Sequence, residues 1–133
     1  MPVFDWVAHH ALTRPNDIVF ALLETGEQRT WRELEERVGR LARLFRDEYA
    51  LRKGDVVSII AENDIRYFEV QFACIRAGLL FAPFNFRLSL GELEEQVGIV
   101  KPKLLIFDEA WASVAHDLIG NCGISSSLTW GKG

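Results

Sequence analysis

Thiol chemistry is almost missing from these 133 residues, whose two cysteines are Cys74 and Cys122. Such a pair makes neither a disulfide framework nor a metal knuckle, and the simplest setting is a reduced, cytoplasmic one. An excess of basic charge is missing too. Lys and Arg number 15 against 19 Asp and Glu, a formal charge of −4, and no basic run is interleaved with aromatics. That argues against nucleic acid or an anionic membrane as the main partner. Long hydrophobic runs are also absent. The longest, Gly78 to Phe84, has the length of a buried strand, whereas a membrane span needs about 20 apolar residues. The opening "MPVFDWVAHHAL" has no basic region and carries an Asp inside its apolar part, so it does not read as a signal peptide.

The familiar catalytic signatures are equally scarce. No G-x-G-x-x-G follows a strand, and neither G-x-x-x-x-G-K-[ST] nor G-x-S-x-G occurs. His9, His10 and His116 are too scattered for a metal site, and a solvated helix face explains the first two. Glu92, Glu94 and Glu95 read as a wet helix face. Cys74 lies among Phe and Ile, the surroundings of an inert buried thiol. No catalytic, cofactor-binding or metal-binding residue is therefore expected within this chain.

What remains is the material of one folded domain over residues 1–133. The chain is 49% hydrophobic and 26% charged, too apolar for a disordered tail. Val3 to Leu12 predicts a short helix. Ile18 to Leu23, the Thr25-Gly26 turn and Glu27 to Thr30 predict a hairpin. Thr30-Trp31-Arg32-Glu33 is a capping box, followed by Trp31, Leu34, Val38, Leu41, Phe45 and Tyr49 at helical spacing. That stripe is a core face, with Glu33/Arg37 and Glu36/Arg40 expected to pair opposite it.

Beyond the Lys53-Gly54-Asp55 turn, Val56 to Ala61 predicts a strand covered on both faces. Asn63 or Asp64 then caps a helix reaching Ala77. This helix is apolar nearly all round, with Ile65, Phe68, Phe72 and Ile75 on one side and Tyr67, Val70 and Cys74 on another. Strand Leu79–Pro83, helix Ser89–Val100 with the box Ser89-Leu90-Gly91-Glu92, strand Lys103–Phe107, helix Glu109–Ile119 and strand Ser126–Trp130 complete the order. The Gly/Ser-rich piece from Gly120 to Ser127 reads as a surface loop. Strands alternating with helices at these lengths predict an α/β fold, a mostly parallel sheet in three layers with flanking helices and a short N-terminal hairpin.

At the end of one such strand stand Pro83, Asn85 and Arg87. The carboxyl ends of strands in open α/β sheets are where ligands bind, which makes Asn85 and Arg87 the candidate substrate-binding residues. The other reading is scaffold: Pro83 holds Ala82 extended, Asn85 makes the turn and Arg87 ties the loop down. Scaffold is the reading preferred.

"RTWRELEERVGRLARLF", the stretch from Leu51 through "KGDVVSIIAEND", the pattern Arg-Ala-Gly-x-x-x-x-Pro-x-Asn-x-Arg-Leu from Arg76 to Leu88, and "KLLIFDE" follow in unbroken order. Together they resemble the opening part of the AMP-forming acyl-CoA synthetases. These belong to the adenylate-forming superfamily, with luciferases and peptide-synthetase adenylation domains. The resemblance covers about Phe4 to Glu109.

It implies a ligase that makes an acyl-adenylate from ATP and a carboxylate, then an acyl-CoA thioester. It implies ATP, Mg2+ and CoA as cofactors of the full-length enzyme, none of them held by this stretch alone. The family's phosphate loop ending in Pro-Lys and its hinge lysine have no counterpart here, because "ISSSLTWGKG" lacks that loop's order. The remainder of a synthetase is the partner implied, and the stretch by itself is expected to be inactive scaffold. The alternative is an interaction or ligand-binding module that keeps the fold without catalysis. Finally, a helix apolar on both faces needs more cover than one small domain supplies, so a homodimer is expected with Phe68 or Phe72 near the contact.

Overall fold

The computed structural model describes residues 5–21, 26–62 and 65–130. They form two compact units, Met1–Ala50 with Asn63–Gly78 and Leu51–Glu62 with Leu79–Gly133. The fold is mixed α/β, with a parallel four-stranded sheet and a separate antiparallel hairpin.

In the first unit, helix α1 (Trp6–Thr13) begins at Asp5, whose Oδ1 accepts the Ala8 N–H at 3.0 Å. Val3 and Phe4 lie outside the described residues. Strand β1 (Ile18–Ala21) pairs antiparallel with β2 (Gln28–Thr30). Leu22, Leu23 and Thr25 of the expected hairpin also fall outside. Helix α2 (Trp31–Asp47) starts with the capping box read from the sequence. The Thr30 hydroxyl accepts the Glu33 N–H at 3.2 Å, and the Glu33 carboxylate accepts the Thr30 N–H at 3.0 Å.

That commitment alters one expectation. Glu33 is turned back onto the cap, and Arg37 reaches instead to Glu69 of helix α3 (Ile65–Ala77). The stripe itself is sound in its middle, where Leu34, Val38 and Phe45 are fully buried. Trp31 and Leu41 are half-buried margins, and Tyr49 lies past the end of the helix.

Helix α3 departs further from its apolar reading. Ile65, Val70, Ala73 and Cys74 are buried, but Phe68 and Phe72 are only half-buried and Ile75 is 40% exposed. Phe68 stacks on Phe20 of β1 with centroids 5.0 Å apart. Its most buried charged residue is one the apolar pattern hides. Glu69 is 1% exposed, held by Arg37 and, at 3.8 Å, by Arg29. A carboxylate so far from water persists only with cations beside it. The expected caps Asn63 and Asp64 lie outside the described residues.

In the second unit the strand order is β4-β3-β5-β6, with β3 (Val56–Ile60), β4 (Leu80–Phe81), β5 (Leu104–Asp108) and β6 (Ser126–Trp130) all parallel. Side chains alternate across the sheet. Ile60, Leu105 and Phe107 form one core with Phe84, with Leu93 and Val97 of α4 (Leu90–Val100), and with Ala115 and Leu118 of α5 (Ala112–Cys122). The other sheet face carries Val57, Ile59, Leu104 and Ile106, all fully buried. Burial on both faces is why β3 and β5 are almost wholly apolar, with Ser58 the buried polar residue between Val57 and Ile59.

Strand β4 is shorter than the expected Leu79–Pro83, yet its ladder continues beyond it. Leu80, Ala82 and Phe84 donate to the carbonyls of Asp55, Val57 and Ile59, each at 2.9 Å. Pro83 falls between two donors, so its missing N–H costs no bond to β3, which is where an edge strand tolerates proline. The expected helix 109–119 divides into a 3-10 turn over Glu109–Trp111 and α5, which runs on to Cys122. Gly123, at φ +68°, ends it as a left-handed glycine does. Only residues 123–125 remain of the loop expected over Gly120 to Ser127.

Phe45→Ala is expected to lower unfolding stability by about 3–5 kcal/mol, the cost of a buried Phe truncation. Leu41→Ala, at the margin, is expected to cost clearly less. Denaturant midpoints of the two variants measure the difference, and equal midpoints would place both side chains at one depth.

Candidate functional site

The reversal of strand order beside β3, with β4 on one side and β5 on the other, marks the place where a doubly wound sheet offers its ligand crevice. That crevice lies past the carboxyl ends of the strands. In the second unit this edge is made by the loop from Phe84 to Ser89, by Asp108 to Trp111 and by Trp130.

The loop is built from its own side chains. The Asn85 side-chain oxygen accepts the Arg87 N–H at 2.9 Å, and the Asn85 carbonyl accepts the Leu88 N–H at 3.1 Å. This is an Asx turn, the local bonding that makes Asn a turn former. Ser89 then caps α4, exchanging bonds of 3.2 Å with Glu92 in a second capping box. Between these, Phe86 meets Trp111 edge to face at 5.1 Å. The Arg87 guanidinium lies over the Phe86 ring, 5.0 Å from its centre. The tie expected of Arg87 is thus a cation–π cover rather than a hydrogen bond.

Across the edge, Asp108 uses both oxygens. One accepts the Ala110 N–H at 3.0 Å and starts the 3-10 turn, and the other accepts the Trp130 indole N–H at 3.2 Å. One carboxylate so joins the ends of β5 and β6. Neither the Asp108–Trp130 bond nor the Phe86–Trp111 contact was anticipated from the sequence. Both depend on strand neighbours that no local pattern reveals.

Other residues singled out from the sequence are dispersed. Cys74 is buried, and burial pushes its thiol up to about 12, far from a thiolate nucleophile. Cys122 is half-buried, its thiol raised by burial and by the charge of Glu94. His9 is exposed and His10 is half-exposed on the same helix. The His10 ring lies 5.7 Å from Trp6 and 4.5 Å from Trp31, in an aromatic stack. His116 sits on the exposed side of α5, edge-on to Phe107. Of the three glutamates on α4, Glu92 serves the cap, Glu94 is half-buried and bonds Asn121 at 3.5 Å, and Glu95 is exposed. Among the described residues no three His, Cys, Asp or Glu side chains are grouped to hold a metal ion. No helix of the described residues is long and apolar enough to cross a membrane.

A cleft of about 640 Å³ does open in this unit, at the opposite edge of the sheet. It is bounded by the end of α4, by Lys101 to Lys103 before β5, and by Cys122 to Ser125 before β6.

Comparison with known proteins gives this arrangement a context. The model of a family described as AMP-binding enzymes matches residues 7–128. A feruloyl-CoA synthase of Amycolatopsis sp. is 36% identical over 101 residues, covering 76% of this chain and 20% of that protein. A 2-succinylbenzoate–CoA ligase of Arabidopsis thaliana is 39% identical over 104 residues, covering 77% of this chain and 18% of that protein. The chain thus spans about a fifth of the length of these curated relatives. Among solved structures, the inhibitor-bound N-terminal domain of FACL13 from Mycobacterium tuberculosis superposes with a TM-score of 0.88 at 18% identity. That match covers 98% of this chain and 34% of the other, and it establishes likeness of fold.

Asn85→Ala is expected to cost about 1 kcal/mol of stability through loss of the turn bond. Arg87→Ala, which uncovers one face of a half-buried ring pair, is expected to cost about half of that or less. Thermal or denaturant unfolding of both variants checks the order, and a larger loss for Arg87→Ala would reverse the assignment of roles.

Proposed function

Because the chain belongs to the AMP-binding enzyme family, we propose that it is the N-terminal part of an AMP-forming carboxylate–CoA ligase. Such an enzyme joins a carboxylate to ATP, releasing pyrophosphate and forming an acyl-adenylate, and then passes the acyl group to the thiol of CoA. The observation that carries this reading is the family match across residues 7–128, in agreement with the unbroken order of motifs from Thr30 to Glu109. The relatives named above are a feruloyl-CoA synthase and a 2-succinylbenzoate–CoA ligase, so a carboxylic acid is the substrate class proposed.

Within that enzyme this stretch is scaffold. Its sequence lacks the residue order of the family's phosphate loop, and among its described residues no three His, Cys, Asp or Glu side chains are grouped. ATP, Mg2+ and CoA are therefore assigned to the remainder of the synthetase, acting in the cytoplasm. The side chains at the carboxyl edge support the same division. Asn85 and Asp108 spend their oxygens on backbone N–H groups and on Trp130. Residues 1–133 are proposed as one structural domain of that larger protein.

The purified 133-residue chain is expected to release no pyrophosphate from ATP with any carboxylate and CoA. The same residues within a full-length synthetase should support turnover. Acyl-dependent pyrophosphate release by the short chain, above a heat-killed control, would show that catalysis resides in it.

Association is the second part of the proposal. Helix α3 leaves Ile75 40% exposed and Phe68 and Phe72 half-buried, and we propose that a second copy covers this side in a homodimer. The stacking of Phe68 on Phe20 shifts the expected contact toward Phe72 and Ile75. Light scattering at micromolar concentration should return twice the chain mass. A monomer that binds no hydrophobic dye would instead favour a self-contained module.

A further inference from the structure

The first unit contains one guanidinium that serves three helices. Arg76, in the last turn of α3, donates from Nε to Asp5 Oδ2 at 2.8 Å and from Nη2 to Asp5 Oδ1 at 3.2 Å. The same fork donates from Nη1 to Glu35 Oε1 of α2 at 3.0 Å and from Nη2 to Glu35 Oε2. Asp5 at the same time caps α1 through Ala8. The start of α1 and the side of α2 are thus both tied to the end of α3.

Beyond that tie, α1 meets α2 through the His10 ring, 4.5 Å from that of Trp31. Val7 is the one residue in it that is fully buried, while Trp6 is 59% and Leu12 86% exposed. The helices α2 and α3 are anchored far better. Between them they bury Leu34, Val38, Phe45, Val70, Ala73 and Cys74, and they share the Glu69–Arg37 pair. Removal of Arg76 would do more than cancel an attraction. Asp5 and Glu35 both accept from the same Nη2, so without the cation two carboxylates are left close together, and like charges at that range repel.

We infer that α1 is an N-terminal strap latched by Arg76, able to leave its seat while α2 and α3 stay packed. The strap is closed when the fork grips both carboxylates. It opens when either the guanidinium or the charge on Asp5 is lost. Local opening of this kind belongs to elements with few fully buried side chains.

Hydrogen exchange read by mass spectrometry on the whole chain tests it. In Arg76→Met the amides of residues 9–13 are expected to exchange about tenfold faster or more, while those of residues 34–47 and 69–77 change by less than about threefold. Adding Glu35→Gln to Arg76→Met removes the repulsion and is expected to restore part of the protection of α1. Should Arg76→Met fail to fold, Asp5→Asn decides the matter. Asn caps a helix as well as Asp does, so that variant keeps the Ala8 bond and loses only the charged grip. Unchanged exchange in α1, or an equal rise in all three helices, would overturn the latch.

Discussion

A carboxylate removed from water has to be given a cation, and in the first unit this requirement at Glu69 governs how the helices meet. Glu69 is all but inaccessible, and its partners Arg37 and Arg29 come from α2 and β2. An ion pair at this depth adds little net stability, since desolvation offsets most of the attraction, but breaking it is costly. Its effect is on register. Sliding α3 by one turn against α2 would leave a buried charge alone. The Arg76 fork repeats the device nearer the surface, where Asp5 shows the balance of forces. Burial works to raise its pKa, but the hydrogen bonds from Arg76 and Ala8 and the charge of Arg76 outweigh it and hold the carboxyl below its usual range.

The second unit relies on a different principle. Its central strands β3 and β5 are buried on both faces, so hydrogen-bond register and side-chain alternation do the aligning that charge does in the first unit. The Leu80, Ala82 and Phe84 bonds to β3 carry the edge strand past Pro83, and the proline faces outward, where it discourages a further strand from pairing. The turn that follows satisfies its own polar groups through Asn85 and Ser89.

The proposed place of this chain in a carboxylate–CoA ligase is consistent with both units. A scaffold needs fixed registers and satisfied polar groups, and these account for nearly every polar contact at the carboxyl edge. Chemistry needs groups left uncommitted near one another. The described residues offer a buried thiol raised by desolvation and one adjacent histidine pair, His9 and His10, whose rings meet edge to face at 5.1 Å.

Much of this was legible in the sequence for a physical reason: helix caps, strand runs and turns are local, and their signals lie within a few residues. The two capping boxes at Thr30 and Ser89, the apolar strands and the Leu34–Val38–Phe45 stripe were all readable in this way, as was the family resemblance, which rests on motif order. Pairings between distant segments were not. Glu69 stands among apolar neighbours and no local spacing singles it out, and Arg37 was assigned to Glu33 because helix spacing alone puts them together. Only the tertiary structure could bring Arg29 and Arg37 to Glu69, Asp5 and Glu35 to Arg76, and Trp130 to Asp108. Those contacts join residues from 22 to 71 positions apart, and at such separations the chain's path, not its local propensity, decides which charges and donors meet.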